Sequence, residues 1–174
     1  MQAGGEVPIV PSPSYLYLSM LRITKESEYA FLLLGAILSA EGAARNTATL
    51  AKEARIAVPM SGKVLKRLTQ QGILESIRGA HGGYQLARAA ENVTALDVVE
   101  AIEGGPELVE CTNGETNCAL AEHCQFSPFW QELNDDIRAM LAAKTLADMQ
   151  RFERRQHERT LKFPEHNDLK QEAS

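Results

Sequence analysis

Apolar residues at helical spacing predict three helices in succession near the start of the chain. EYAFLLLGAILSA (28–40) is apolar enough for a buried helix, with Ser27 as its N-cap, and too short to cross a membrane. TATLAKEARI (47–56) predicts a short amphipathic helix, and VPMSGKVLKRLTQQGIL (58–74) predicts another that ends at Gly72. Two short helices separated by three or four residues have the pattern of a helix-turn-helix.

A glycine-rich turn between two short segments predicts a β-hairpin directly after these helices. ILESIR (73–78) and GYQLAR (83–88) have the composition of strands, and GAHGG joins them. A hairpin at this place is the wing of a winged helix-turn-helix, in which glycines allow close approach to a backbone and Arg78 enters a minor groove. Taken singly, a basic amphipathic helix is usually a solvated face and such a turn only a turn. Their order and spacing favour the winged helix.

Two further helices are predicted after the hairpin. VTALDVVEAIEGG (93–105) has apolar residues on one face and ends at glycines. SPFWQELNDDIRAMLAAKTLADM (127–149) predicts one long helix with Ser127 as its N-cap. Apolar residues of this long helix step by three and four, which favours packing against the same helix of a second copy; the alternative is that they cover their own subunit's core. The predicted dimer-interface residues are Trp130, Leu133, Ile137 and Met140.

These elements predict a mainly α fold with a small β-hairpin wing, in which a winged helix-turn-helix domain precedes a long dimerisation helix. The prolines and the absence of a basic start in the first residues exclude a signal peptide, and Met20 is an alternative start. The predicted parts are a disordered N-terminal extension (1–19), the DNA-binding domain (20–90), a linking helix with a cysteine loop (91–126), the dimerisation helix (127–150) and a charged flexible tail (151–174).

Charge is divided unevenly along the chain, whose net charge is −5 at pH 7. Residues 20–90 carry ten Lys and Arg against five Glu, a surplus of +5. Residues 91–174 carry eight Lys and Arg against 17 Asp and Glu, a balance of −9. A basic part followed by an acidic part is expected of a module that binds double-stranded DNA joined to a regulatory or assembly module.

Seven residues of the basic part are predicted to contact DNA. Ser61 and Lys63 lie early in the second helix of the helix-turn-helix, where side chains reach base edges. Cations of both helices are assigned to phosphates, and the hairpin contributes one Arg and one His. The phosphate contacts are Lys52, Lys66 and Arg67, and the wing contacts are Arg78 and His81.

All three cysteines of the chain fall in CTNGETNCALAEHC (111–124), with six and then five residues between them. Reduced, clustered thiols in a cytoplasmic protein indicate metal or redox chemistry, and soft thiolates favour an iron–sulfur cluster or zinc. Structural zinc sites prefer tighter pairs, so Cys111, Cys118 and Cys124 favour a cluster over zinc. His123 is a candidate fourth ligand, but neighbouring residues of an extended chain point to opposite sides, so His123 and Cys124 would not easily share one centre.

The sequence excludes several other functions. Its apolar runs are all shorter than the ~20 residues that span a bilayer, so we expect a cytoplasmic protein without a membrane partner. A nucleophile elbow, a phosphate-binding glycine loop and an HExxH motif are all missing, so we expect no enzymatic activity. The basic part and the wing disfavour a cluster carrier, and the wide cysteine spacing disfavours a zinc-stabilised DNA-binding protein without sensing.

These motifs resemble the IscR/NsrR family of bacterial regulators. The resemblance covers roughly residues 20–150 and rests on MLRITKESEYA, the wing RGAHGGYQLA and the Cys-x6-Cys-x5-Cys loop before a long helix. It implies a homodimer whose cysteines hold a 2Fe–2S or 4Fe–4S cluster, with the state of the cluster controlling DNA binding. Iron–sulfur assembly or iron homeostasis genes are the implied targets, and a nitric-oxide-responsive repressor is the alternative.

The resemblance also implies a fourth cluster ligand. One branch of the family uses a His three positions after the third cysteine, where this chain has Ser127. Other branches use an acidic residue early in the first helix, donated by the partner subunit, and Glu28 stands at that position. The alternative for Glu28 is a first-turn residue favoured by the helix dipole. Family members often carry a larger polar residue where this chain has Gly62, so the resemblance implies no base preference.

Overall fold

Helices and one β-hairpin make up the residues that the computed structural model describes, which are 23–79, 82–105, 108 and 124–162. The two strands are antiparallel, and the fold is mainly helical, as predicted. Within the described ranges, no helix is long and apolar enough to cross a membrane. In chain order the elements are α1 (Lys25–Leu38), α2 (Thr47–Ala54), α3 (Val58–Gln70), β1 (Leu74–Ile77), β2 (Gly83–Leu86), a 3-10 turn (Ala90–Asn92), α4 (Ala95–Glu103), α5 (Ser127–Ala142) and α6 (Leu146–Lys162).

The hydrophobic core lies between the first four helices and the start of the hairpin, and the first residue of α6 closes it. Each buried aliphatic side chain contributes about 1.5–3 kcal/mol relative to its exposed state. The core therefore fixes α3 against α1, and this packing determines which residues of α3 face solvent. The largest fully buried apolar side chains are Leu33, Leu34, Leu50, Val64, Leu65, Leu68, Ile73, Leu74, Val93, Val98 and Leu146.

A short turn joins α2 to α3 and completes the helix-turn-helix. The Asn46 side chain accepts a hydrogen bond from the Thr49 N–H at 2.9 Å and caps α2. Arg55 adopts the left-handed conformation with φ 55°, which ends α2 two residues earlier than predicted. The Ile56 N–H then donates to the Ala51 carbonyl at 2.9 Å. This turn redirects the chain into α3, whose first turn contains Pro59, a residue that suits this position because its missing N–H has no partner there.

The hairpin is tied to the segment that precedes α2. The strands pair from Leu74 with Leu86 to Ile77 with Gly83. Tyr84 and Arg45 also exchange backbone hydrogen bonds of 3.1 and 2.9 Å, which form an antiparallel bridge outside the two strands. This close approach requires glycine, because a Cβ at Gly83 would lie 2.2 Å from the Arg45 carbonyl oxygen. The wing is thus held against its own domain by backbone contacts.

α4 and α6 each begin with a capping box, and the starts of the two helices lie next to each other. Thr94 and Asp97 cap α4 reciprocally. At the start of α6, the Thr145 N–H and hydroxyl donate to Asp148 Oδ2 at 3.0 and 2.9 Å, and the Asp148 N–H donates to the Thr145 hydroxyl at 3.2 Å. These hydrogen bonds from Thr145, together with one from Arg151, lower the pKa of Asp148 to about 2. The Leu146 N–H donates to the Val93 carbonyl at 2.9 Å, so the two helix starts are joined directly.

The C-terminal helices correct two predictions. The predicted helix 127–149 is two helices, because a turn after α5 is followed by the capping box that starts α6. The predicted flexible tail at 151–174 is helical as far as Lys162, and residues 163–174 lie outside the described residues, as do residues 1–19.

Two predicted N-caps are wrong, whereas one predicted helix end is confirmed. Thr24 caps α1, since its hydroxyl accepts a hydrogen bond from the Ser27 N–H at 3.3 Å, and Ser27 is a buried residue of the helix. Ser127 is the first residue of α5, and Phe126 occupies the cap position. The prediction that Gly72 ends the third helix is confirmed. α3 runs to Gln70, and Gly72 closes it in the left-handed conformation with φ 68°, while the Ile73 N–H donates to the Leu68 carbonyl at 3.0 Å.

Candidate nucleic-acid interface and cysteine segment

The outer face of α3 carries the three cations that were predicted to contact DNA. Lys63, Lys66 and Arg67 are exposed. Ser61 is fully buried, and its hydroxyl donates to the Ala57 carbonyl at 3.2 Å, so the prediction that Ser61 faces outward to base edges is wrong. The reason is helical phase, because position 61 lies on the same face as the core residues at positions 64, 65 and 68.

The first two turns of α3 expose apolar groups that the sequence analysis did not assign to DNA. Val58 is 49% exposed, Pro59 is exposed, and Gly62 is partly exposed. With Ser61 buried, Lys63 is the side chain in these two turns that can donate a hydrogen bond to a base edge. Small apolar groups on a recognition helix suit contact with thymine methyl groups.

Glu26, in the first turn of α1, forms ion pairs with two cations of α3. Lys63 Nζ lies 2.6 Å from Glu26 Oε1, and Arg67 Nη1 lies 3.5 Å from Glu26 Oε2. The Glu26 side chain is 29% exposed and that of Lys63 is 58% exposed, so the pair lies at the rim of the core. Sequence reasoning missed Glu26 because it precedes Lys63 by 37 residues, and a local spacing signal does not reach that far.

The start of α1 is also tied to the end of α4. The Thr24 N–H and hydroxyl donate to Glu103 Oε1 at 3.0 and 2.9 Å. Partial burial raises the pKa of Glu103, but the nearby Ser27 hydroxyl and the hydrogen bonds from Thr24 outweigh this effect, so the pKa of Glu103 lies below its ordinary value. Glu103 is the last residue of α4, ahead of the segment that contains the cysteines.

The remaining predicted DNA contacts occupy different elements. Lys52 is exposed on α2, and Arg78 is exposed just after β1, at the base of the wing. Both positions are compatible with phosphate or minor-groove contact beside α3. His81 lies outside the described residues, and its predicted role stays a prediction.

Glu28 is an exposed residue of the first turn of α1, and Lys25 Nζ lies 2.6 Å from its Oε2 atom. Its side chain lines an open groove of about 990 Å³ between α1, α2 and α6. Apolar side chains dominate the groove, among them Ile23, Leu32 and Phe152, each of which is roughly half exposed. A carboxylate therefore stands at the edge of a largely apolar groove.

One cysteine is within the described residues. Cys124 has a free, partly buried thiol and lies just before α5, where its carbonyl accepts a hydrogen bond from the Ser127 N–H at 3.4 Å. Cys111, Cys118 and His123 lie outside the described residues. In the part of the chain that the structure covers, no three His, Cys, Asp or Glu residues are grouped in a way that could hold a metal ion.

α5 buries little of its surface against the other described elements of the chain. Of its residues, Asn134 is buried, and an ion pair between Arg138 and Glu100 ties the helix to α4. Among the predicted interface residues, Met140 is 61% exposed, whereas Trp130, Leu133 and Ile137 are partly covered. Two aromatic residues that the sequence analysis did not single out, Phe126 and Phe129, are more than half exposed.

Most of the chain, including the helix-turn-helix and the helices that follow it, is similar to known transcriptional regulators. Residues 23–151 match the Rrf2 family, described as an iron-dependent transcriptional regulator. The chain is 31% identical over 132 residues to the Rrf2 protein of Nitratidesulfovibrio vulgaris, covering 75% of this chain and 88% of that protein. It is 25% identical over 130 residues to the HTH-type transcriptional regulator IscR of Escherichia coli, covering 74% and 80%.

A solved structure supports the same fold. CymR, the global cysteine regulator of B. subtilis, superimposes with a TM-score of 0.61 at 24% identity, covering 76% of this chain and 98% of CymR. The named relatives are regulators and not enzymes.

Proposed function

The chain belongs to the Rrf2 family of helix-turn-helix transcriptional regulators, and we propose that it is a homodimer whose DNA binding is controlled by an iron–sulfur cluster. The proposed cluster ligands are Cys111, Cys118 and Cys124 of one subunit and Glu28 of the other. Iron–sulfur assembly or iron homeostasis genes are the proposed targets. The observation that carries the proposal is the three-cysteine segment between α4 and α5, in a chain whose other half presents a basic recognition helix.

The chemistry of the described ligands fits such a cluster. Cys124 is a free thiol that is only partly buried, and a thiolate is the usual ligand of cluster iron. The Glu28 carboxylate is about half exposed, and Lys25 is its ion-pair partner. An exposed ion pair of this kind contributes little to stability, so Glu28 can exchange Lys25 for another partner at little cost. Oxygen ligands are harder than thiolates, which makes Glu28 the weakest of the four proposed ligands.

The proposed dimer follows from the surfaces that one subunit leaves uncovered. α5 and its cap residue expose Phe126, Phe129 and Met140, and the groove between α1, α2 and α6 exposes Leu32 and Phe152. Apolar surfaces of this kind on a soluble regulator favour contact with a second copy in a two-fold arrangement. Because Cys124 lies beside the exposed end of α5 and Glu28 lines the groove, seating α5 of one subunit in the groove of the other would bring these two residues together.

In this proposal each residue has a defined task. A bound cluster would supply a centre that reacts with oxidants or nitric oxide. Glu28, donated from the first turn of α1, would link the cysteine segment of one subunit to the DNA-binding domain of the other. Half-sites on DNA lie about 34 Å apart, so the relative position of the two α3 helices decides affinity. Release of Glu28 would free the two domains to change that spacing.

Composition of the protein purified without oxygen tests the proposed cofactor. We expect iron and sulfide in near-equal amounts, visible absorption that is lost on oxidation, and a change in DNA affinity that accompanies this loss. Zinc without sulfide would favour the zinc-stabilised regulator that has no sensing role. Iron and sulfide with DNA affinity unchanged by cluster loss would contradict control by the cluster.

A ligand variant tests Glu28 separately from the cysteines. Glu28→Ala is expected to lower cluster yield and to alter its absorption spectrum after anaerobic reconstitution. Glu53→Ala is the matched control, because Glu53 lines the same groove and forms a comparable ion pair, with Arg45 at 2.6 Å. An unchanged yield, spectrum and DNA affinity in the Glu28 variant would remove Glu28 from the ligand set.

A further inference from the structure

Two cations of the recognition helix share a single carboxylate. Lys63 and Arg67 lie one helical turn apart on the outer face of α3, and both are paired with Glu26 of α1 at 2.6 and 3.5 Å. Both cations remain about half exposed, so they are accessible to another anion. One negative charge between two positive charges reduces the net charge of this group from +2 to +1.

The position of Glu26 is set by the cap of α1. Thr24 caps the helix through Ser27, and its own N–H and hydroxyl are held by Glu103 at the end of α4. Glu26 lies between Thr24 and Ser27 in this turn and is only 29% exposed, so its carboxylate is directed at α3 from an anchored turn. Lys63 and Arg67 reach toward Glu26 from α3 with long, flexible side chains.

We propose that Glu26 attenuates DNA binding by competing with DNA phosphates for Lys63 and Arg67. A phosphate group that approaches α3 must displace this carboxylate or accept its repulsion at short range. The sequence-independent part of DNA affinity depends on how many phosphates the protein neutralises. Glu26 therefore lowers affinity for cognate and unrelated DNA alike, and keeps the regulator from saturating non-specific sites. The inference rests on the DNA-binding part of the proposed function and does not depend on the cluster.

Glu26→Gln tests this role, because the amide keeps the size of the side chain and removes its charge. Both cations of these ion pairs are about half exposed, and such pairs contribute little to stability, so the variant is expected to fold with a nearly unchanged melting temperature. Dissociation constants would be measured against a random-sequence 30-base-pair duplex and a duplex selected by the wild-type protein from a random pool. One additional phosphate contact at 0.15 M salt is expected to tighten both by about fivefold and to steepen the salt slope by about 0.9.

Two controls separate competition from other effects. Glu100→Gln also removes one negative charge and one ion pair, the pair with Arg138, but between α4 and α5. It is expected to leave DNA affinity unchanged. In a protein that carries Lys63→Gln and Arg67→Gln, adding Glu26→Gln should change affinity by less than about twofold, because Glu26 acts through these two cations.

Each outcome decides between the inference and its rivals. The inference is overturned if Glu26→Gln binds the random duplex no more tightly than the wild-type protein does. It is also overturned if Glu100→Gln tightens DNA binding equally, or if Glu26→Gln still tightens binding in the protein that carries Lys63→Gln and Arg67→Gln. All proteins would be full-length, purified without oxygen and matched in iron content. If the wild-type protein selected no sequence from the random pool and did not bind the random duplex, its DNA-binding function would itself be overturned. If it bound both and Glu26→Gln matched it, only the inference about Glu26 would fail.

Discussion

At the scale of single residues, Gly83 holds the wing against the DNA-binding domain. A side chain at this position would meet the Arg45 carbonyl oxygen at 2.2 Å, and the neighbouring backbone hydrogen bonds between Arg45 and Tyr84 would break. We expect Gly83→Ala to lower the free energy of unfolding by about 1–3 kcal/mol, as for other strained or broken backbone contacts. Chemical denaturation measures this change.

A glycine elsewhere in the fold supplies the control for this prediction. Gly35 lies inside α1, and a Cβ built on it meets nothing within 4 Å. Gly35→Ala is therefore expected to be neutral or to stabilise the protein by about 0.5–1 kcal/mol, through the gain in helix propensity. Equal effects of the two substitutions would show that the Arg45 contact is not what requires glycine in the wing.

Substitution of Lys66 can distinguish a contact to DNA phosphates from a contact to base edges. It is exposed on α3 next to the cations paired with Glu26, and we expect it to bind phosphate without reading sequence. Lys66→Gln should then weaken binding to cognate and random duplexes by similar factors and reduce the salt slope by about one. Fluorescence titrations at several salt concentrations measure both quantities. Lys144→Gln, an exposed cation between α5 and α6, is the control, and a loss confined to the cognate duplex would assign Lys66 to base contact instead.

Residues on α3 illustrate what sequence can and cannot predict at this scale. The spacing of Val64, Leu65 and Leu68 identifies the core face, and all three are buried as that spacing predicts. Ser61 lies on the same face and is buried as well. It was predicted to face outward because its side chain is polar, although its position along the helix places it with the core residues. Glu26 was beyond prediction, because its ion pairs depend on how α1 crosses α3 and not on local sequence.

At the scale of elements, the start of α6 depends on the Thr145–Asp148 capping box. Hydrogen bonds from Thr145 and Arg151 lower the pKa of Asp148 to about 2 from its ordinary 3.8. A lowered pKa means that the ionised carboxylate stabilises the folded state fully above about pH 4, and that this contribution is lost as the pH falls toward 2. Thr145→Ala should raise the pKa of Asp148 toward its ordinary value and lower stability near pH 7 by about 1 kcal/mol.

Titration of the Asp148 carboxyl group by NMR, with denaturation at pH 7 and near pH 2, measures both effects. Thr145→Ser keeps the capping hydroxyl and is expected to keep the low pKa, so it serves as the control. An unchanged Asp148 titration in Thr145→Ala would mean that Arg151 alone sets this pKa.

The same element shows why helix boundaries were harder to predict than helices. The apolar pattern continues through residues 127–149, so periodicity alone gave one helix. The spacing of Thr145 and Asp148 is a capping-box signal, and it was the only local sign that a new helix begins. Residues 151–162 were assigned to a flexible tail because they are highly charged, yet α6 is anchored at its start by Leu146 and Met149, which pack on the core.

At the scale of the whole molecule, the proposed dimer would cover the surfaces that a single subunit leaves open. α5, a 16-residue helix, buries only Asn134 and leaves Phe129 and Met140 more than half exposed. Sequence spacing identified Met140, whereas Phe126 and Phe129 were found only from their exposure. The placement of Glu28 in the groove between α1, α2 and α6 depends on how α1 packs against α6, and the periodicity of the sequence does not reveal that packing.

Subunit mixing tests whether Glu28 completes the site of the partner subunit. Glu28→Ala and Cys124→Ala homodimers each lack a complete ligand set, and we expect both to hold little cluster. A heterodimer of the two variants, isolated through two different affinity tags, has one complete site only if Glu28 acts across the interface. The intact cysteines of the first chain then meet the intact Glu28 of the second. We expect about one cluster per heterodimer, measured as iron and sulfide.

A heterodimer of wild-type and Cys124→Ala chains calibrates this experiment, because it holds one complete site whichever subunit donates Glu28. If Glu28 acted within its own subunit, the mixed-variant heterodimer would have one site without the carboxylate and one without the thiolate. Its iron and sulfide content would then match that of the two homodimers. Recovery to the level of the calibrating heterodimer requires that the cysteine segment and the first turn of α1 meet between subunits, and the cluster would then link the DNA-binding domain of one chain to the cysteine segment of the other.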